Sequence, residues 1–479
     1  MAEITDLDLA IATLLAKTDH YTNLWNYYEG RQPLVYSHDR LKAAFDQISA
    51  RFTQNWCAVV VDSVHERLTL QRITVADNDA ATQQLDDLLK ASDLLLEADN
   101  VHLAALVTGE GYVIAWPNEM GQPEAYYNDP RNVHLFYEAD QPRVKRFGCK
   151  WWIGDDFYRY LTLYYADHLE YYRSKKPVIT RGEGLPSLRY AAVNSEVRNG
   201  RSFEPYNSDA PAANPYGAVP IFHFRRDRRV IAGELQNVIE PQDAVNKLLA
   251  DMMIAAEFGA FKQRWVISQA DVSKLKNAPN EIWAIPAGVE GEQNTSVGEF
   301  DITPLENYLQ AIDKWTTSIA IISRTPKHYF FAQGGEPSGE ALIAMEAPLN
   351  HKAQKYIDRF IATWTEVAAF MARVGGLGEL DPNAIVPVFD KPQTVQPYTQ
   401  ALIRKESVAA GIPLLWQMEQ EGYTAQELAD LQDAKDEAMA QQQEQLAAAM
   451  TNAQRNFDQG PNGTSRNGAA PRGTRNSNA

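Results

Sequence analysis

The sequence predicts an α+β fold that is predominantly helical, and three observations support this class. Apolar residues recur at helical spacing through most of residues 1–110 and again after residue 236. Between residues 111 and 224, short runs of aromatic and β-branched residues alternate with turn residues, which is typical of a mostly antiparallel sheet. The chain has 479 residues, more than the roughly 250–300 that one hydrophobic core usually accommodates. We therefore expect several domains.

Three helices are predicted in residues 1–110. Leu7, Leu14 and Leu24 mark the apolar stripe of the first helix. Residues 55–68 form the second helix and residues 85–106 the third. The first helix also carries aromatic residues that could stack on bases, although their helical spacing favours a place in the core. These residues are Tyr21, Trp25, Tyr27 and Tyr28.

The sheet region begins at Gly111, where the hydrophobic period changes from helical to alternating. Asp155 and Asp156 lie between two of its strands. Paired carboxylates can bind a metal, but adjacent residues of an extended chain point to opposite faces, so a turn is favoured. Residues 181–217 are rich in Gly, Pro, Ser and Asn and predict an irregular connection. The predicted strands are residues 112–116, 133–137, 145–153, 158–165, 169–172 and 219–224.

Two amphipathic helices enclose a compact segment in the middle of the chain. The first opens at Pro241, a residue that suits the first helical position. The second opens with a capping box formed by Thr303 and Glu306 and stops at Pro326. Its apolar stripe consists of Leu305, Leu309, Ile312, Trp315, Ile319 and Ile322. Short strands are predicted between the helices, at residues 265–267 and 282–285.

A loop, a long helix and a lone strand follow. The loop covers residues 325–337, and Ser338 then caps the long helix. Pro348 lies about three turns into this helix and predicts a kink. Residues 384–389 form the strand, in which Pro387 indicates a sheet edge.

The C-terminal region, residues 395–450, predicts helices interrupted at Gly411 to Pro413. Their order resembles a helix-turn-helix reader of DNA. Residues 406–434 contain no Lys or Arg, however, which favours a packed helical cap. Residues 451–479 predict a disordered tail, in which four arginines and one aspartate give a net charge of 4 − 1 = +3. This tail could touch DNA through nonspecific phosphate contacts, or it could be a solubilising end without a further role.

Composition and charge exclude several classes of protein. The chain has 45% hydrophobic and 22% charged residues, the balance of a globular protein. Its two cysteines, Cys57 and Cys149, exclude a disulfide scaffold and fit a reducing compartment. No apolar run reaches the roughly 18 residues that a membrane span needs, and the acidic start is unlike a secretory signal. The net charge of −17 argues against tight DNA binding, because such binding gains affinity from cations that neutralise phosphates.

No catalytic, cofactor-binding or metal-ligating residue is predicted. The chain lacks a phosphate-binding P-loop and a G-x-S-x-G elbow, and His65 lacks the second histidine of a zinc protease. We therefore expect a protein that is not an enzyme and needs no cofactor. A cytosolic acidic enzyme stays an alternative, since catalytic groups can be far apart in sequence. The basic run from Arg225 to Arg229 could contact phosphate, although a solvated or inter-subunit salt-bridge patch is favoured.

The order of these elements, with several local strings, resembles the portal proteins of tailed double-stranded DNA bacteriophages, in particular the subfamily common in phages of actinobacteria. The resemblance covers about residues 20–450 and depends on the order and spacing of the strings. They are Tyr27-Tyr28-Glu29-Gly30, Asn55-Trp56, Val60-Val61-Asp62-Ser63, Arg67-Leu68, Gly109-Glu110-Gly111-Tyr112, Gln242-Asp243-Ala244-Val245-Asn246-Lys247 and Pro337-Ser338-Gly339-Glu340-Ala341-Leu342.

The resemblance implies the portal fold and assigns each segment to one of its parts. Residues 1–235 would be the wing, made of helices and a mostly antiparallel sheet. Residues 236–261 and 303–324 would be the two stem helices, with the clip at 262–302 between them. The tunnel loop at 325–337, the long wing helix and strand at 338–394, the crown at 395–450 and the disordered basic tail at 451–479 complete the chain.

The resemblance also implies a function. Portal proteins form rings, commonly of twelve subunits, at one capsid vertex of the virion. The ring conducts double-stranded DNA during packaging and ejection. The implied partners are the terminase large subunit, later the head-tail adaptor, and the major capsid and scaffolding proteins. Another phage head structural or head-completion protein is the alternative within the same class.

Two sets of candidate site residues follow from the resemblance. In the tunnel loop, Lys327, His328 and Gln333 are candidate DNA contacts. Alternatively, Lys327 and His328 face a neighbouring subunit while Tyr329, Phe330 and Phe331 anchor the loop in apolar packing. In the clip, the candidate contacts with terminase or adaptor are Trp265, Lys274, Lys276 and Trp283.

Overall fold

The computed structural model describes residues 5–32, 53–178, 199–206, 211–227, 229–260, 264–267, 296–299, 304–330, 339–392, 397–420 and 425–458. The chain divides into two compact units, Met1–Thr394 and Val395–Ala479. Helix exceeds strand, at 52% against 21%, which agrees with the predicted α+β class. Within the described residues every strand pair is antiparallel, as the sequence predicts.

The N-terminal part of the first unit is mainly helical, as predicted, with one strand that the sequence analysis missed. The single helix predicted over residues 85–106 is wrong, because Asp93 adopts a left-handed conformation (φ 48°) and separates two helices. The elements are α1 (Asp6–Tyr28), α2 (Trp56–His65), β1 (Leu70–Val75), α3 (Asp79–Ala91) and α4 (Leu94–Thr108).

The antiparallel strands follow and form two sheets. Strands β4 to β8 make one sheet in chain order, with β9 paired to β7, and β10, β2 and β3 make the other. The buried stripe of α1, which includes Ile11 and Leu14, packs on Phe147 and Leu161 of the first sheet. The strands are β2 (Glu110–Pro117), β3 (Pro123–Asn128), β4 (Val133–Tyr137), β5 (Lys145–Ile153), β6 (Arg159–Tyr164), β7 (His168–Ser174), β8 (Phe203–Pro205), β9 (Ala212–Ala213) and β10 (Ile221–Arg225).

Asp155 and Asp156 lie in the turn between β5 and β6, as predicted. The Gly154 N–H donates to the Tyr158 carbonyl at 3.0 Å and closes this turn. The Asp156 carboxylate accepts a hydrogen bond from the Tyr160 hydroxyl at 2.7 Å. Asp156 therefore stabilises the hairpin.

The middle of the chain contains the two amphipathic helices and a two-stranded sheet. These elements are α5 (Ile239–Ala260), β11 (Arg264–Ile267), β12 (Ser296–Glu299) and α6 (Glu306–Ser323). Strand β11 confirms the strand predicted at 265–267, whereas the one predicted at 282–285 and Thr303 of the capping box lie outside the described residues. Helix α6 ends three residues before Pro326, because Arg324 is left-handed (φ 59°) and the Thr325 N–H donates to the Ala320 carbonyl.

Helix α7 (Gly339–Val374) supplies much of the core of the first unit. Trp364 and Phe360 are fully buried and contact Phe224 of β10 and His102 of α4. Pro348 lies inside this helix, and the kink expected there stays a prediction. Strand β13 (Ile385–Phe389) pairs with β1 in a two-stranded sheet, so Pro387 occupies an edge strand as predicted.

The second unit contains α8 (Pro397–Ala409), α9 (Leu414–Gln420) and α10 (Ala425–Asp458). The break at Gly411 is confirmed, and this glycine has a φ of 92°. Leu402 and Trp416 are exposed, so the packed cap that the sequence favours is incomplete within one chain. The prediction that disorder begins at residue 451 is wrong for residues 451–458. Helix α10 continues through them, since each added residue of a helix gains a hydrogen bond. The remaining residues of the predicted tail, 459–479, lie outside the described residues.

Candidate functional site

The first turns of α5 are attached to the N-terminal helices by buried amide side chains. The Gln242 side chain accepts a hydrogen bond from the Trp56 N–H at 2.9 Å and donates to the Gln54 carbonyl at 2.7 Å. The Asn246 side chain accepts from the Gln54 N–H at 3.1 Å. Gln242 and Asn246 are both buried. We call Gln242, Asp243 and Asn246 the α5 base.

Tyrosine hydroxyls complete this attachment. The Tyr27 hydroxyl donates to both carboxylate oxygens of Asp243 at 2.9 Å, and burial raises the pKa of Asp243. The Tyr28 hydroxyl donates to Asp62 at 2.9 Å, and the Asn55 side chain donates to the Tyr28 carbonyl at 2.7 Å. Tyr21 and Tyr27 are buried. The aromatic group of α1 is therefore part of the core, as its spacing predicts.

Arg67 anchors the segment that follows α6. Residues Lys327–Tyr329 form a 3₁₀ turn there. The Arg67 guanidinium donates to the Tyr329 hydroxyl at 2.9 Å and to the Asn350 side chain of α7 at 2.9 Å. The next residue, Phe330, is buried and its ring lies 5.3 Å from that of Trp56. Two of the three predicted aromatic anchors thus contact the core, and the third, Phe331, lies outside the described residues.

The two basic residues of the turn have different surroundings. Lys327 is exposed to solvent. His328 lies beside α7, where its Nε2 atom is 3.7 Å from an oxygen of Glu346. Both side chains are exposed, and they differ in that only the histidine has a carboxylate of its own chain nearby. Gln333 lies outside the described residues.

The structure describes only some of the candidate partner-contact residues in the segment of the chain that connects α5 to α6. Trp265 is half-buried on β11 and pairs across the sheet with Gly298. A Cβ atom added to Gly298 would lie 2.5 Å from the indole, so the absence of a side chain lets the ring lie on β12. Lys274, Lys276 and Trp283 lie outside the described residues.

The apolar stripe predicted for α6 is divided between two environments. Ile312 and Ile319 are buried. Leu309, Trp315 and Ile322 of the same stripe are 46%, 43% and 47% exposed. Helix α6 packs along α5, on which Met253 is also exposed. One chain therefore covers only part of the apolar surface of this helix pair.

A buried ionic cluster lies at the start of β2, within the string Gly109-Glu110-Gly111-Tyr112. The fully buried Glu110 carboxylate pairs with Lys17 and accepts hydrogen bonds from the Tyr21 hydroxyl at 2.8 Å and the Tyr112 hydroxyl at 2.9 Å. Burial by itself raises the pKa of Glu110, but Lys17 and His223 outweigh it and hold the pKa well below its usual value. This cluster stabilises the first unit.

The sequence analysis did not assign roles to Arg67, Gln242 or Asn246. Gln242 lies in the buried stripe of α5, three residues before Val245, and is itself fully buried. A polar residue in an apolar stripe needs a buried partner, and this signal could have identified it. Arg67 offered no such signal, because it follows a helix and its distant partners come from the 3₁₀ turn and from α7.

Two further features, a metal-binding group of side chains and a membrane-spanning helix, are absent from the described residues. Among the described residues, no three His, Cys, Asp or Glu side chains are grouped so that they could hold a metal ion. No helix in the described part of the chain is both long enough and apolar enough to cross a bilayer.

Comparison with known proteins places the chain in one family. The family model described as "Phage portal protein, SPP1 Gp6-like" matches residues 8–448. The match covers both amphipathic helices, the turn that Arg67 anchors and most of the second unit. No curated protein sequence matches the chain.

Proposed function

The chain belongs to the SPP1 Gp6-like family of phage portal proteins, and we propose that it forms a ring at one vertex of a phage capsid through which double-stranded DNA is packaged and ejected. Members of this family are structural proteins of the virion rather than enzymes. Membership therefore argues against the acidic-enzyme alternative.

The observation that carries the proposal is the incomplete burial of the α5–α6 pair, read together with the family match. A helix that is apolar over more than one side needs more than one neighbour. Ile312 and Ile319 are buried within the chain, while Trp315 and Ile322 stay exposed. In a ring, commonly of twelve subunits, α5 and α6 would be the stem helices and the next subunit would cover these residues.

The turn after α6 is the proposed channel-lining segment. Arg67 and the Phe330–Trp56 contact hold its backbone against the core, while Lys327 is free to face outward. One exposed ion pair contributes only about 0–1 kcal/mol. Such lysines could therefore resist slippage of the DNA without stopping it, in a ring whose subunits each have a net charge of −17.

The remaining partners are proposed by analogy with the family. Residues 262–302 would be the clip, where Trp265, Lys274, Lys276 and Trp283 are candidates to meet the terminase large subunit and later the head-tail adaptor. Residues 395–450 would be the crown, and the major capsid and scaffolding proteins would surround the wing. Deleting residues 270–295 should abolish terminase binding while the rest of the first unit keeps its fold. Unchanged terminase affinity would place the docking site elsewhere.

Ring formation is tested on the purified chain. Each subunit has a mass of 53.8 kDa, so mass photometry should detect particles of several hundred kilodaltons. Electron microscopy should show a central channel in these particles. A monomer at all micromolar concentrations would contradict the proposal, and closed particles without a channel would favour a different head protein.

The channel role is tested by Lys327→Glu. This variant should assemble like the parent, because Lys327 holds the turn through its backbone carbonyl, which accepts from the Phe330 N–H at 3.0 Å and is kept by the substitution. Filled heads of the variant should retain less DNA. Lys391→Glu is the matched control, since Lys391 is also exposed but lies far along the chain, after β13. If Lys327→Glu packages and retains DNA as well as both Lys391→Glu and the parent, the charge of Lys327 has no part in the function.

A further inference from the structure

A polar cavity of about 350 Å³ lies between residues 226–238, the C-terminal end of α6 and the middle of α7. Its volume is within the usual range of small-molecule sites, roughly 300–1,000 Å³. Five cationic side chains line it, although the whole chain has a net charge of −17. They are Arg226, Arg324, Lys352, Lys355 and Arg359.

The two carboxylates in the wall, Glu234 and Asp227, already have partners. The buried Glu234 accepts hydrogen bonds from Lys352 at 2.7 Å and from the Tyr356 hydroxyl at 2.6 Å, and Arg226 lies 3.4 Å away. Asp227 accepts from the Arg229 N–H at 2.9 Å, and this bond is the main cause that lowers the pKa of Asp227 to about 2. Asp227 also attracts Arg359, but two carboxylates cannot neutralise all five cations of the wall.

The five cations of the wall therefore outnumber its two carboxylates by three. Arg324 and Lys355 form no ion pair with a carboxylate in the described part of the chain, and Arg359 donates to the carbonyl of Arg226. The buried Lys352 is repelled by two of the neighbouring cations. Burial lowers the pKa of Lys352, its ion pair with Glu234 opposes this shift, and repulsion from Arg226 and Arg324 adds to the lowering.

Arg324 occupies a backbone position that favours glycine. It follows the last residue of α6 with a φ of 59°, and the position after a helix in this conformation is most often glycine. A non-glycine residue there stores strain, a feature that clusters at binding sites. The chain thus places a guanidinium at the edge of the cavity against the local backbone preference.

We propose that this cavity binds a phosphate group through Arg324, Lys355 and Arg359. A guanidinium group can donate two parallel hydrogen bonds to a phosphate, and the one or two negative charges of a phosphate would offset part of the cationic surplus. The group could belong to free phosphate or to the backbone of DNA. The cavity is complete within one chain, so the inference does not depend on ring formation.

The test compares the full chain with the double variant Arg324→Gly, Lys355→Gln. Both residues are exposed, and glycine relieves the backbone at position 324, so the variant should melt at the same temperature as the parent or higher in chloride buffer. At matched ionic strength, inorganic phosphate should raise the melting temperature of the parent by several degrees. The double variant should bind phosphate at least about tenfold more weakly, a loss of about 1.4 kcal/mol. Lys391→Gln, at an exposed position outside the cavity, should behave like the parent.

A second titration uses a labelled 20-base-pair duplex and separates the two sources. If the site takes the DNA backbone, the double variant should bind the duplex at least about tenfold more weakly, and phosphate should displace the duplex from the parent. If it takes only free phosphate, duplex affinity should be unchanged while the phosphate effect is lost. The proposal is overturned if phosphate and duplex both act no differently from chloride, or if the double variant binds both like the parent. It is also overturned if the variant changes only self-association, because the cavity would then receive a carboxylate from a second copy.

Discussion

The two ends of the α5–α6 helix pair differ in how far the chain itself buries their side chains and pairs their polar groups. At the α5 base, Gln242 is fully buried and both ends of its amide are paired within the chain. Farther along, the apolar residues Leu309 and Trp315 of α6 are nearly half exposed. The chain itself pairs the buried polar groups of the base, whereas it leaves apolar side chains of the distal part exposed to solvent.

This difference separates folding from assembly. Substitutions in the interior or at the base should destabilise the subunit, because they leave cavities or unpaired buried groups. Substitutions on the distal surface should leave the subunit intact and act on the proposed ring. Three predictions test this separation, in order of their expected effect on the free energy of unfolding.

The largest effect compares two tryptophans. Trp364→Ala should lower the free energy of unfolding by about 3–5 kcal/mol, because it opens a cavity around a fully buried ring. Trp315→Ala should change it by less than about 1 kcal/mol, since Trp315 is 43% exposed in one chain. Urea unfolding of dissociated subunits measures both values. Mass photometry should show the opposite order for rings, with Trp315→Ala the more damaging. An equal loss of stability in the two variants would contradict the comparison.

The second prediction concerns the α5 base. Gln242→Leu removes the partners of the Trp56 N–H and the Gln54 carbonyl. Leaving these groups unpaired should cost about 2–4 kcal/mol in the free energy of unfolding. Gln310→Leu is the matched control, because Gln310 is exposed on α6 and its replacement should cost within about 0.5 kcal/mol. If the two variants are equally stable in urea, the amide bonds do not hold the base together.

The third prediction concerns acid sensitivity of the interior. Burial, with a smaller contribution from His65, lowers the pKa of His102 from 6.5 to about 3. The unfolded chain therefore takes up a proton on this residue below pH 6.5 that the folded chain does not. The stability linked to His102 is complete above pH 6.5 and is lost as the pH falls toward 3, by up to about 2 kcal/mol between pH 6.5 and 5.

The measurement is the pH dependence of urea unfolding in the parent and in His102→Gln. Glutamine keeps an acceptor for the Trp364 indole, which donates to His102 at 3.0 Å. This variant should lose about 2 kcal/mol less than the parent between pH 6.5 and 5. The control is His351→Gln, at an exposed position of α7. It should follow the parent, and an identical slope in all three proteins would exclude His102 as a source of acid sensitivity.

The elements that the sequence predicted depend on neighbours in the chain, and most of those that it missed depend on remote partners or on a single backbone conformation. Local signals predicted most of the longer antiparallel strands, although not β3, and they predicted α5, α6 and α7, because hydrophobic period and turn residues depend on neighbours in the chain. They failed at Asp93, where a left-handed residue divides a helix, and at β1, whose partner β13 is about 310 residues away. Most strings that carried the family resemblance prove to meet at the α5 base and at Arg67, although they are far apart in sequence.

The sequence by itself determined the α+β class, the order of the elements and the family, because each is written in residue types and their spacing along the chain. Only the tertiary structure decided which residue of a predicted site is available. It exposes Lys327, turns His328 toward Glu346, and pairs Gln242 with the backbone before α2. It also gathered the cations of residues 226–359 around one cavity. The physical reason is that burial and pairing depend on distances between elements remote in sequence, and periodicity contains no information about those distances.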